Sequence, residues 1–259
     1  MSTLSVVLVQ TNIKWLDISA NLEALAQQLQ DCKTVDLVLL PETFATGFAM
    51  SDPKASVSAD GGQILDWLKI MAMRHQAVIA GSVLVNHGDK IANRFYWVWP
   101  NGEVKYYDKR HLFRLGNEGD YVVAGQTRAV FEINGVRILP QVCYDLRFPV
   151  WARNRNDYDV LINVANWPQA RRKIWDTLLQ ARAIENQAFA IGVNRIGEDG
   201  FSIEHNGGSA VYDFKGDTLI LATDNVSQLT YVTLDMAALR QFKQQFPAYL
   251  DADNFYLTD

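Results

Sequence analysis

Apolar residues fall into two rhythms along this chain, short continuous runs and stretches spaced three or four apart, and the two alternate from the N-terminus onward. Leu4 to Gln10 is a run with β character. Asp17 to Asp31 then sets Ile18, Leu22, Leu25, Ala26 and Leu29 at helical spacing, with Asp17 placed to cap. Leu37 to Leu40 is continuously apolar, as central strands are, and ends in Pro41-Glu42-Thr43-Phe44. Glu42 is thereby predicted at the C-terminal edge of a strand. Gly61-Gly62 precedes a second amphipathic helix carrying Ile64, Leu65, Leu68, Met71 and Ala72, and a strand follows from Ala77 to Val85.

From Ile91 the pattern changes to hairpins. Arg94 to Trp99 and Glu103 to Tyr107 flank Pro100-Asn101-Gly102, with Lys109 just beyond the second strand. A loop from Asp108 to Gly125 follows, too aromatic and apolar to be disordered. A second turn at Asn134-Gly135 leads into the strand that ends at Cys143. Tyr158 to Ala165 is a strand, Ala170 to Gln187 a long helix and Phe189 to Asn194 another strand. Gly197 to Gly208 matches no phosphate-binding fingerprint and reads as a loop. Ala210 to Phe214, Thr218 to Thr223 and Leu229 to Leu234 are β-type runs, and Met236 to Phe246 is a last helix. Each half runs from strands and helices into hairpins, which predicts an α/β fold of two sheets with helices on their outer faces, a four-layer α-β-β-α sandwich.

With 259 residues, 49% of them hydrophobic, and no linker, residues 1–259 are expected to form one domain around a large core. The tail from 247 to 259 is aromatic enough to dock on that domain or on a partner subunit. A net charge of -5 and a pI near 5.4 leave no basic footprint for nucleic acid or anionic lipid. Cys32 and Cys143 make no disulfide framework, Met1-Ser2-Thr3-Leu4 lacks the charged start of a signal peptide, and no apolar run nears the roughly 18 residues of a membrane span. The expectation is a soluble cytoplasmic protein.

The chemistry concentrates where strands end. In Ile138 to Pro149 an apolar run stops at Cys143 and passes into Tyr144-Asp145-Leu146-Arg147, residues that can open a helix. A helix start there would lower the thiol's pKa and leave backbone N–H groups free for an oxyanion. Taken alone, Cys143 reads equally as a small buried hydrophobe, Glu42 as a loop carboxylate and Lys109 as one charge in Asp108-Lys109-Arg110-His111. Together they make sense chemically. A thiol near pKa ~8.5 passes its proton to a carboxylate near ~4.3 only at a cost of roughly 5.7 kcal/mol. Apolar burial of the acid, and an ammonium beside the sulfur, would close that gap.

Competing chemistries are poorly served. A papain-like enzyme needs a histidine beside the thiol, and the chain has only His75, His87, His111 and His205, of which His111, close to Lys109, stays open as a candidate. Neither cysteine lies near another ligand at metal spacing, which disfavours zinc. A binding protein without turnover is the alternative from outside enzymology.

Three stretches, Leu39-Leu40-Pro41-Glu42, Tyr107-Asp108-Lys109-Arg110-His111-Leu112-Phe113 and Val142-Cys143-Tyr144-Asp145-Leu146-Arg147-Phe148-Pro149, resemble in order the three motifs of the nitrilase, or carbon–nitrogen hydrolase, superfamily. Their wording and the chain length are most similar to the omega-amidase branch. The resemblance implies Glu42 as general base and acid, Lys109 as oxyanion stabiliser, Cys143 as nucleophile and Glu118 as the carboxylate that holds the lysine. It implies the backbone of Tyr144 as a second oxyanion donor, and Arg147, Trp167 and Phe48 as substrate-binding residues. For Arg147 a structural pair with Asp145 is the other reading. The implied reaction is hydrolysis of a short dicarboxylic acid monoamide such as 2-oxoglutaramate through a cysteine thioester, without cofactor or metal, in a homodimer. Other amidases, a carbamoylase or a nitrilase are the alternatives within the superfamily.

Overall fold

Strand β1 (Thr3–Gln10) shows why the apolar runs are continuous rather than alternating. Leu4, Val6 and Leu8 belong to the core between two sheets, Val7 and Val9 to the core beneath a helical layer, and all five are fully buried. A strand covered on both faces has no polar side to display. The computed structural model of the protein describes residues 2–256.

The strands that follow β1 are β2 (Leu37–Leu39), β3 (Val78–His87), β4 (Lys90–Val98), β5 (Val104–Asp108), β6 (Phe131–Ile133), β7 (Val136–Val142), β8 (Val160–Ala165) and β9 (Phe189–Asn194). A small hairpin, β10 (Ile196–Glu198) and β11 (Glu204–Asn206), precedes β12 (Ala210–Tyr212), β13 (Thr218–Leu221) and β14 (Gln228–Asp235). One six-stranded sheet has the order β14-β1-β2-β3-β4-β5, the other β13-β12-β9-β8-β7-β6. In each, three parallel strands are flanked by antiparallel ones: β1-β2-β3 in the first and β7-β8-β9 in the second.

The helices are α1 (Ile18–Gln28), α2 (Gly62–His75), α3 (Glu118–Tyr121), α4 (Pro149–Ala152), α5 (Arg172–Asn186) and α6 (Met236–Gln245). Leu25 and Leu29 at α1 pack with Ile64, Leu65, Leu68 and Met71 of α2 on the outside of the first sheet. Trp175, Leu179 and Ala183 of α5 cover the second. Between the sheets, Val6, Leu39, Phe95 and Trp97 from one side pack with Ile138, Val160, Ile162 and Ile191 from the other.

Topology explains where chemistry collects. β5 lies two antiparallel steps from β3 and so runs in the direction of β2 and β3, which brings their C-terminal ends to one edge. Glu42 follows β2, Lys109 follows β5, Cys143 follows β7 and Asn166 follows β8. Gly125 closes the loop after Lys109, donating its N–H to the Lys109 carbonyl at 2.8 Å. A Cβ at that position would stand 2.0 Å from the Asp108 carbonyl oxygen, so only glycine fits.

Three expectations change. Gly197 to Gly208 is not a plain loop: β10 and β11 pair across it, and Asp199 accepts the amides of Phe201 (2.8 Å) and Ile203 (3.0 Å) to close the turn. The stretch from Asp108 to Gly125 contains a 3-10 turn at Arg114–Gly116 and α3. The helix expected from Ala170 begins at Arg172, after a 3-10 turn at Gln169–Arg171. In the C-terminal tail, Arg155 donates to the Phe255 carbonyl at 3.1 Å and lies over its ring, while residues 257–259 of that expected docking segment lie outside the described residues.

Candidate active site

Lys109 is fully buried with two carboxylates, Glu42 and Glu118, that are fully buried too. Its Nζ donates to Glu118 Oε1 (2.9 Å) and Oε2 (3.0 Å) and to Glu42 Oε1 (3.2 Å). Burial by itself would lower the ammonium's pKa, but the adjacent Glu118 and then Glu42 outweigh it and raise it. Glu118 is raised, by burial against the pull of Lys109. Its Oε2 also accepts the Phe113 amide at 2.6 Å, which fixes the carboxylate behind the lysine.

Glu42 is held from three further directions. Asn93 Nδ2 donates to Oε1 at 2.9 Å, and the Asn166 amide donates to Oε2 at 2.7 Å. Asn166 Nδ2 reaches the Glu42 carbonyl at 2.8 Å and the Thr43 hydroxyl at 2.9 Å. Thr43 has φ +42°, a left-handed conformation at the bend that turns Glu42 inward.

Cys143 sits in the same kind of bend, with φ +44°. Such a backbone costs on the order of 1–3 kcal/mol and persists only where its surroundings fix it. Here Asp145 does so: its Oδ2 accepts the Val142 amide (3.0 Å) and the Tyr107 hydroxyl (2.8 Å), and its Oδ1 meets the His111 amide (2.9 Å) and Nδ1 (2.8 Å). One buried carboxylate thus ties the turn of Cys143 to the segment that carries Lys109. Tyr144 is the second residue of the 3-10 turn Cys143–Arg147, where a backbone N–H has no acceptor within the turn.

The expected helix start is only this short turn, and the thiol's pKa moves opposite to expectation. Burial raises it well above its ordinary value, Glu42 adds to the rise, and Lys109 opposes it without prevailing. Burial is the larger cause, and charge count adds to it: one ammonium faces two carboxylates, so a thiolate would be a third negative charge around one positive.

Glu42, Lys109, Cys143, Tyr144, Arg147, Trp167 and Phe48 all line one pocket, which offers about 560 Å³ including its open mouth. Glu118 stands behind Lys109 and does not line it. Phe113, Asn166, Pro168, Arg171, Asp199, Ile203 and His205 complete the wall. Phe48 presents its ring 5.0 Å from Lys109 Nζ. Arg147 lies over the rings of Trp167 (5.4 Å) and Tyr144 (6.0 Å) and, contrary to the alternative reading, does not pair with Asp145. His111 is stacked on Phe148 at 3.8 Å and bonded to Asp145, and it does not line the thiol's pocket, so it does not form a papain-like pair with Cys143. No group of three or more metal-ligating side chains occurs among the described residues.

Sequence reasoning missed Asn93, the Asn166 amide that holds Glu42, Arg171 and the walls around His205. Asn93 left a signal, an amide beside Arg94 in the otherwise apolar stretch from Ile91 to Trp99. Arg171 left none, because its place depends on how the segment after β8 turns.

Fold and pocket together are those of a hydrolase acting on carbon–nitrogen bonds. The chain belongs to the carbon-nitrogen hydrolase family, whose sequence profile residues 5–244 match. It is 45% identical to Omega-amidase YafV of Escherichia coli (strain K12) over 259 residues, covering 99% of this chain and 100% of that one. It is 37% identical to the 2-oxoglutaramate amidase of Bacillus subtilis (strain 168), over 66% of this chain and 67% of that one. A CN-hydrolase superfamily protein from Xanthomonas campestris, solved with an arsenic adduct in its active site, superposes with a TM-score of 0.96 at 42% identity, covering 100% of both chains.

Proposed function

We propose that this protein is an omega-amidase that releases ammonia from the terminal amide of a short dicarboxylic acid monoamide, with 2-oxoglutaramate as substrate. The observation that carries the reading is the pairing, in one pocket, of the Cys143, Glu42 and Lys109 cluster with an Arg147 guanidinium that makes no ion pair among the described residues. The guanidinium suits the carboxylate at one end of such a substrate, and the thiol meets the amide at the other. The relatives named as omega-amidase and 2-oxoglutaramate amidase support the same assignment.

In this reading Cys143 Sγ attacks the amide carbon while its proton passes to Glu42. Burial and the neighbouring carboxylates hold the thiol's pKa well above its ordinary value, which favours transfer of the proton as the C–S bond forms. Lys109 Nζ and the Tyr144 N–H stabilise the oxyanion, and a single such donor is typically worth ~10² to 10³ in rate. Glu42 then protonates the departing nitrogen, ammonia leaves, and a thioester remains. Water attacks it, giving a proton to Glu42, which returns one to the sulfur as the acid is released.

The test is ammonia release from 2-oxoglutaramate, set beside simple nitriles and carbamoyl compounds, together with the intact mass after brief exposure to substrate. An acyl adduct on Cys143 is expected, and a Cys143→Ser variant that released ammonia at the wild-type rate would overturn the nucleophile. A homodimer in the cytoplasm fits this reading; exposed Val150 on α4 and Ile184 on α5 offer apolar contact surface, and mass photometry measures the state directly.

A further inference from the structure

The mouth of the pocket holds a second guanidinium that the reaction above does not use. Arg171, in the turn between β8 and α5, lines the pocket with Arg147. It is half-buried, lies over the Phe113 ring at 5.3 Å, and makes no side-chain hydrogen bond or ion pair among the described residues. Its neighbour does pair: Arg172 is bonded to Asp176 and Asp224, each at 2.7 Å. Asp199 is the acid at this mouth, and its Oδ1 is occupied by the amides of Phe201 and Ile203.

The two arginines are linked through one indole. Trp167 presents its ring to Arg147 at 5.4 Å and donates Nε1 to the Arg171 carbonyl at 2.9 Å. Phe113, beneath Arg171, is fixed through its amide to Glu118. Both cations therefore rest on aromatic surfaces anchored to the site, which lowers the cost of ordering them around a ligand.

We infer that Arg171 is a specificity-determining residue that, with Arg147, reads the 2-oxo acid end of the substrate: Arg147 takes the carboxylate, and Arg171 takes the adjacent oxo oxygen with the near carboxylate oxygen. The inference rests on the omega-amidase reading of the pocket. A plain carboxylate offers enough acceptors for one guanidinium fork, whereas an α-oxo carboxylate offers a planar row of oxygens that two forks can share. The pair thus selects 2-oxo acid monoamides over the corresponding amides that lack the oxo group.

Binding to the Cys143→Ala protein separates this inference from turnover. Calorimetry with 2-oxoglutarate and with glutarate is expected to favour the oxo acid by about tenfold or more. In Arg171→Gln both acids lose the contact to the carboxylate, but 2-oxoglutarate loses several-fold more and the preference falls to near unity, while Arg147→Gln weakens both acids alike. Arg171→Lys keeps the charge without the fork and recovers only part of the preference. Equal losses for both acids in Arg171→Gln, or no loss for either, would overturn the inference. Failure of the omega-amidase reading would show elsewhere, as the absence of ammonia release from 2-oxoglutaramate by the unmodified enzyme.

Discussion

Glu118 grips Lys109 with both carboxylate oxygens, at 2.9 and 3.0 Å, whereas Glu42 meets the same ammonium through one oxygen at 3.2 Å. The asymmetry divides the labour between two buried acids. The one that does not line the pocket positions the cation, and the one that does keeps an oxygen toward the thiol. Glu118 also adds to the negative potential that raises the Cys143 pKa.

Replacing Glu118 by Gln therefore has two opposite consequences. Turnover falls, by ~10² if the lysine no longer meets the oxyanion. The thiol nevertheless becomes easier to ionise, because one negative charge has gone while Lys109 remains. Alkylation of Cys143 by iodoacetamide at about neutral pH should be faster in Glu118→Gln than in the parent, although amide hydrolysis is slower. Alkylation and turnover falling in parallel would count against this electrostatic account.

The raised thiol pKa also sets the pH profile of the unmodified enzyme. Alkylation should be slow near pH ~7 and keep climbing through pH ~9, with no neutral plateau of the kind that a preformed thiolate–imidazolium pair gives. Pre-steady-state labelling across that range reads this directly, with Cys32 replaced by Ser so that one thiol is counted.

Asn93→Ala removes the side-chain donor at 2.9 Å from Glu42 Oε1 and leaves a buried carboxylate with one partner fewer. The expected cost is about 1–3 kcal/mol of stability, with kcat reduced and KM nearly unchanged because Asn93 does not line the pocket. Denaturant unfolding and steady-state kinetics check both halves, and a KM effect alone would show that Asn93 acts on substrate instead.

How far the sequence carried these conclusions can be seen from particular residues. Glu42, Lys109 and Cys143 were legible because each directly follows or nearly follows a strand, and because in such sheets strand ends meet at one edge. The four layers were legible because two-sided burial leaves continuous apolar runs such as Leu37 to Leu40. The sign of the thiol's shift was not legible. It depends first on how completely the fold buries the sulfur and then on Glu42 and Glu118 sharing one lysine, neither of which spacing along the chain contains. The β10–β11 hairpin escaped because its short strands are held by turn geometry and mixed polar residues, without an alternating apolar pattern. Asp145 looked like a partner for Arg147 from two positions away, yet its acceptors are filled by Tyr107, His111 and Val142 from across the fold and beside it.

His205 supplies a pH-dependent contribution to stability. Burial first and Arg195 second lower its pKa to about 4, so the ring is neutral in the folded protein near neutral pH. The unfolded chain has an ordinary histidine near ~6.5. Between those values the unfolded state binds the extra proton, so stability is complete above about pH 6.5 and declines as pH falls toward about 4. At about 1.36 kcal/mol per unit, the loss attributable to this residue is at most about 3 kcal/mol. Replacing His205 by Gln should flatten that part of the curve: the stability difference between parent and variant, measured by urea unfolding, shrinks steadily from pH ~7 to pH ~4. A difference that stays constant across the interval would mean that His205 does not titrate with unfolding.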